Sequence, residues 1–206
     1  MNLRRYGAGA RLYDVLSGER LVYRAGRVAG IQVMNLRPGD VVLDLGCGTG
    51  LNFPLLVAAV GPSGRVIGLD RSVAMLAVAH KRVAANGWKN VTIVHADATD
   101  FDSTDIAADT VDAVIATYSL SVIRHWRSAW ANAVAVLKPG ARALIVDMQL
   151  PTGYARIMRP LARAVCAFGG SDIRAHPWTV LEDGVINTDS VTVKGGHIRA
   201  VAASIP

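Results

Sequence analysis

The 206-residue sequence predicts a doubly wound α/β domain finished by an antiparallel hairpin, and two observations carry that reading. Short β-branched runs alternate with helical patterns through the middle of the chain. These runs are apolar throughout, as strands of a parallel sheet covered on both faces must be. Near the carboxyl end the alternation stops, and two β-rich runs meet at Lys194-Gly195-Gly196, where Gly-Gly suits a hairpin turn.

Each element follows from local chemistry. Residues 5–36 read as two amphipathic helices broken near Ser17-Gly18, a helical cap (1–36) ahead of the main unit (37–206). The turn Arg37-Pro38-Gly39-Asp40 launches a first strand, Val41–Leu45, and residues 51–60 follow as a helix stopped by Gly61-Pro62-Ser63-Gly64. Arg65–Asp70 is a second strand. Ser72 is an N-cap for a helix through Ala85 that Asn86-Gly87 ends. Val91–His95 and Val111–Thr117 are the third and fourth strands, residues 126–137 a helix stopped at Lys138-Pro139-Gly140, and 141–147 a fifth strand. Residues 154–168 form an amphipathic helix with Arg156, Arg159 and Arg163 on one side and a kink at Pro160, and residues 185–193 and 197–204 form the hairpin.

Composition narrows the function. Apolar residues are 51% and charged residues 18%, which excludes intrinsic disorder. The longest apolar stretches, 114–123 and 133–137, fall short of the roughly 18–20 residues of a transmembrane helix, and the first six residues lead into no signal-like apolar run. Two cysteines, Cys47 and Cys166, form no disulfide framework, so a reducing cytoplasmic setting is expected, and the scattered histidines offer no metal-ligand spacing. Seven arginines and three acids within residues 1–40 supply +4 of the formal net charge of +6. The arginine-faced segments 1–27 and 156–163 can rest on an anionic membrane surface or merely cover the sheet. Basic residues are not interleaved with aromatics, so no nucleic-acid partner is expected.

The strongest motif is Asp44-Leu45-Gly46-Cys47-Gly48-Thr49-Gly50, between strand and helix. Its glycines let the backbone turn sharply and approach a ligand. The G-x-G-x-G spacing, with Leu51 where a dinucleotide fingerprint has its third glycine, and an acid two residues ahead of Gly46, favour a cationic amino-acid end over a pyrophosphate. Asp70 closes the second strand, placed to accept ribose hydroxyls. Asp97 follows the third, placed to accept from an adenine amine. Together with Arg71, Ala98, Thr117 and Tyr118, these residues gather at the carboxyl edge of the sheet, where open α/β sheets bind ligands.

These residues, with Leu137-Lys138-Pro139-Gly140, resemble a class I S-adenosylmethionine-dependent methyltransferase over about residues 12–150. The resemblance implies a seven-stranded sheet, S-adenosylmethionine as cofactor, Asp44, Gly46, Cys47, Gly48 and Gly50 around its methionine portion, Asp70 on the ribose, and Asp97 with Ala98 at the adenine. Tyr13-Asp14-Val15-Leu16, the run Tyr23-Arg24-Ala25-Gly26-Arg27 and residues 117–126 resemble, more narrowly, bacterial phospholipid N-methyltransferases. The chain departs from their pattern at Arg124-His125, where a Pro-Asp pair is typical. That likeness implies Tyr13 as a lid over the cofactor and an amine acceptor, a small molecule or lipid head group reached at the inner membrane face. Tyr118 is the candidate proton acceptor, or else an aromatic wall. The competing readings are a C- or O-methyltransferase of a quinone or phenol, a nicotinamide-dependent oxidoreductase, and a non-catalytic cofactor-binding protein.

Overall fold

The computed structural model describes residues 23–183 and 188–206, the Phe168 side chain excepted. The first of the two N-terminal helices, with Tyr13, therefore lies outside the described residues, as do residues 185–187 of the hairpin. The second is α1 (Arg24–Val33). Then follow β1 (Val41–Leu45), α2 (Phe53–Val60), β2 (Arg65–Asp70), α3 (Val73–Asn86), β3 (Val91–His95), β4 (Val111–Thr117), α4 (Trp126–Ala135) and β5 (Leu137–Met148). α5 (Arg159–Gly169), α6 (Thr179–Glu182), β6 (Thr188–Val193) and β7 (Ile198–Ser204) complete the chain.

One seven-stranded sheet runs β3-β2-β1-β4-β5-β7-β6, with β7 antiparallel to both neighbours and every other pairing parallel. The apolar strand runs are explained by the pleat. Leu43 and Leu45 of β1, Val114 of β4 and Ile145 of β5 face a cluster with Phe101, Ile106, Trp126 and Trp130. Val42, Ile115 and Leu144 face the other layer, with Ile31, Phe53 and Leu56. Strand order reverses between β1 and β4, so the connections leaving their carboxyl ends diverge and open a crevice there.

Several boundaries differ from the sequence expectation, and three have a clear physical cause. The helix after β1 begins at Phe53 rather than Leu51, with Pro54 in its first turn and the Asn52 side chain engaged elsewhere. α4 stops at Ala135, and Leu137 already pairs with Val111, so Lys138-Pro139-Gly140 is a bulge inside β5 rather than a helix stop. Pro160 does not kink a helix. It sits in the first turn of α5, where its missing N–H costs nothing, and Gly153–Met158 before it is a 3₁₀ segment. Ser72 caps α3, its Oγ accepting from the Met75 N–H, and Gly87 ends it in the left-handed conformation.

Helix α1 lies against β5, β6 and β7. Its close approach needs glycine: a Cβ on Gly30 would stand 2.6 Å from Val146 Cγ2. Gly30→Val should therefore lower stability by about 1–3 kcal/mol through overpacking, read from the urea midpoint.

Candidate active site

The loop after β1 is anchored to its neighbour by two amides on one acceptor. The Gly46 and Cys47 N–H groups both donate to the Leu69 carbonyl of β2 (2.8 and 2.9 Å). Gly46 sits at φ +73°, and a Cβ there would meet Ser119 Cβ at 2.5 Å. Gly48, at φ +56°, would carry its Cβ into open space, and its N–H donates to Asp70 Oδ2 (2.9 Å). One glycine is thus demanded by contact, the other by backbone conformation.

A cleft of about 140 Å³ opens at this edge. Of the sequence-predicted residues, Gly46, Cys47, Gly48, Asp70, Arg71, Asp97, Ala98, Thr117 and Tyr118 line it. Asp44 and Gly50 stand behind the lining, and Tyr13 lies outside the described residues. The sequence reading gave no site role to Arg27, Met75, Ser119, Val122 and Ile123, which also line the cleft, as do Thr49, Leu51, Leu69 and Ser72. Met75 had a signal, its place in the first turn after a strand-end acid. Arg27 lay in the run 23–27 but was given no role there, because only the packing of α1 brings it 90 residues along the chain to Thr117.

The acids differ sharply in environment. Asp44 is fully buried; Asn52 Nδ2 donates to its Oδ1 (2.9 Å), while Oδ2 has no hydrogen-bond partner among the described residues. Burial pushes its pKa up to about 7, against the opposing effects of Asn52 and Arg27. Arg27 Nη1 donates to Thr117 Oγ1 (2.7 Å) and Asn52 Oδ1 (3.1 Å), and Asn52 Nδ2 also donates to Thr117 Oγ1 (2.9 Å). Asp70 accepts from the Gly48 and Ser72 N–H groups, yet burial still raises its pKa. Asp97 is held low, chiefly by the Thr99 N–H, with the Thr99 hydroxyl and Arg71 (3.4 Å) assisting.

Tyr118 takes φ +57°, unusual for a bulky residue, and its hydroxyl donates to the Tyr23 carbonyl (2.9 Å). Its ring lies 4.9 Å from that of Tyr23 and 5.0 Å from the Arg27 guanidinium carbon. His125 and His176 are absent from the lining. Among the described residues, no three His, Cys, Asp or Glu side chains are grouped to hold a metal, and no helix is long and apolar enough to cross a membrane.

Residues 42–140 match the family model of the methyltransferase domain. Demethylmenaquinone methyltransferase of Anoxybacillus flavithermus is 32% identical over 162 residues, 78% of this chain and 66% of the relative. That of Bacillus cytotoxicus is 33% identical over 139 residues, 68% of this chain and 56% of the relative. The chain thus spans 56–66% of the length of these relatives, and both are named for a quinone acceptor rather than a phospholipid amine. A SAM-dependent methyltransferase from Aquifex aeolicus superposes with a TM-score of 0.68 at 22% identity, covering 93% of this chain and 97% of that one. Phosphoethanolamine N-methyltransferase 2 of Haemonchus contortus gives 0.72 at 16% identity, covering all of this chain and 60% of that one. At such identities the two structures speak for the fold alone. With the sheet order and the carboxyl-edge cleft, these matches make the chain a member of the class I S-adenosylmethionine-dependent methyltransferase superfamily.

Proposed function

We propose that the chain transfers a methyl group from S-adenosylmethionine to a small lipophilic acceptor of the quinol or phenol type. The carrying observation is the likeness, at 32% identity, to a relative named for a demethylated menaquinone. The cleft supports it. Among the described lining residues the only acids are Asp70 and Asp97, at the β2 and β3 ends, while Tyr118, Val122, Ile123 and Arg27 gather at the β4 end. A cationic amine head group would find positive charge there; a flat ring or phenolate would find apolar surface and a guanidinium. The amine reading keeps only fold-level support.

The cofactor fits on two observations. Asp44 Oδ2 is, among the described residues, the one buried carboxylate oxygen lacking a hydrogen-bond partner, which suits an ammonium, and Gly48 leaves its side of the cleft open. In this reading Asp44 counters the ammonium from behind the loop of Gly46, Cys47, Gly48 and Gly50, and Asp70 accepts the ribose hydroxyls. Asp97 offers Oδ2 to the adenine amine beside Ala98, with Arg71 holding that carboxylate in place. Thr117 orients Arg27. Bound S-adenosylmethionine supplies an electrophilic methyl group. The protein's task is alignment and exclusion of water. Tyr118, its proton engaged by the Tyr23 carbonyl, acts as a wall, and Arg27 favours the ionised acceptor.

Incubation with methyl-labelled cofactor and, in parallel, a demethylated naphthoquinol, a catechol and phosphatidylethanolamine vesicles tests the reading. Label is expected in the quinol or catechol; label confined to the phospholipid overturns the acceptor class, and label nowhere overturns the activity. Asp70→Ala should weaken S-adenosylhomocysteine binding about 100-fold by calorimetry, through the loss of charge-assisted hydrogen bonds, with unchanged circular dichroism. Equal affinity would remove the ribose role.

Asp44 also sets a pH dependence. Its folded-state value of about 7 exceeds the ordinary 3.8, so the folded chain binds this proton more tightly than the unfolded one. Stability therefore falls as pH rises from about 4 to about 7. An ammonium selects the carboxylate, so affinity for S-adenosylmethionine should climb by up to about tenfold per pH unit toward 7 and level off above. Titrations across that window are expected to show this slope for the native chain and a low, flat profile for Asp44→Asn.

A further inference from the structure

Six large apolar side chains are prominently exposed among the described residues, and five of them fall in one stretch. Tyr154, Ile157, Met158, Leu161 and Val165 are 105%, 83%, 48%, 55% and 48% exposed. Their spacing of three and four residues aligns them along one side of the 3₁₀ segment and α5. The adjoining side is anchored: Ala162 and Cys166 pack with Met148 and Ile173 in a small cluster that also touches Tyr118. α5 is therefore fixed along one edge and bare along the next.

Charge indicates what covers the bare side. Residues 148–171 hold three arginines, Arg156, Arg159 and Arg163, and no acid. Arg156 and Arg163 are exposed, while Arg159 is partly tied down by donating from Nε to the Pro151 carbonyl (2.9 Å). A second copy meeting this face about a two-fold axis would set arginines against arginines. An apolar stripe whose polar flank carries only positive charge matches a lipid bilayer with anionic head groups.

We propose that the outer face of α5 and its preceding 3₁₀ segment docks on an anionic membrane surface, Tyr154, Ile157, Leu161 and Val165 entering the acyl boundary and Arg156 and Arg163 meeting the phosphates. The cluster linking α5 to Tyr118 then holds the acceptor end of the cleft beside the bilayer. The inference concerns binding alone and does not depend on turnover.

Vesicle sedimentation of the full chain, without cofactor, tests it. Vesicles with about 30% phosphatidylglycerol should retain the protein, pure phosphatidylcholine should retain much less, and added salt should release it. Ile157→Ser with Leu161→Ser, and separately Arg156→Gln with Arg163→Gln, should each lower retention about tenfold or more. Since these side chains are exposed, both variants should keep the native circular dichroism and melting temperature. Absence of retention, equal retention on neutral vesicles, or undiminished retention of either variant overturns the proposal. So does a concentration-dependent dimer in sedimentation velocity that the serine variant abolishes, which would assign the face to a second copy. Failure here leaves the methyl-transfer assay untouched.

Discussion

The site depends on a single carbonyl. Leu69, at the end of β2, receives the N–H groups of both Gly46 and Cys47 and so pins the loop after β1 across the neighbouring strand. Without that anchorage the glycines would have freedom but no fixed course, and ordering a free loop at the moment of binding costs about 1–2 kcal/mol per residue. The same loop hands its Gly48 N–H to Asp70, so the carboxylate at the β2 end and the turn at the β1 end fix each other. The reversal of strand order beyond β1 supplies the space they enclose.

Behind that loop lies a polar knot in an otherwise apolar layer. Asp44, Asn52, Thr117 and Arg27 come from β1, the turn before α2, β4 and α1 and are joined by short hydrogen bonds. The group is nearly closed. Among the described residues its remaining unpartnered oxygen belongs to Asp44, and burial is the largest influence on its protonation. Asn52 illustrates the competition: preceding a helix, it would ordinarily cap it, yet its amide is drawn inward and α2 starts with an uncapped turn aided by Pro54. Asp147 is the contrasting case. It is equally buried and also raised, to about 6, but it is fully engaged by Ser121 and the Met148 N–H and holds the short 3₁₀ turn Leu120–Val122, which follows β4, onto β5.

The acceptor end is built from long-range packing. Tyr118 adopts a left-handed conformation because three contacts determine it: the Tyr23 carbonyl, the Tyr23 ring and the Arg27 guanidinium. All three come from the first turns of α1 or the residue before it, so that helix shapes the cleft as well as covering the sheet.

Local chemistry alone determined the alternation of strands and helices, the Ser72 cap, the hairpin and the glycine-acid pattern of the cofactor edge. Each is a short-range consequence of pleat period, capping or positive φ, and each is written within a few residues. Tertiary structure decided the rest. Lys138-Pro139-Gly140 reads as a helix stop, but the demand of Val111 for a backbone partner pulls Leu137 into β5 and turns the tripeptide into a bulge. Pro160 reads as a kink, but a 3₁₀ segment takes up the preceding residues and leaves the proline at a helix start. Arg27 stands in a run that resembles other methyltransferases but has no assignable partner until α1 settles on β5 and β7 through Gly26 and Gly30 and carries it to Thr117. Contacts of that range have no local sequence signal, because their energy comes from surfaces that meet only once the sheet has closed.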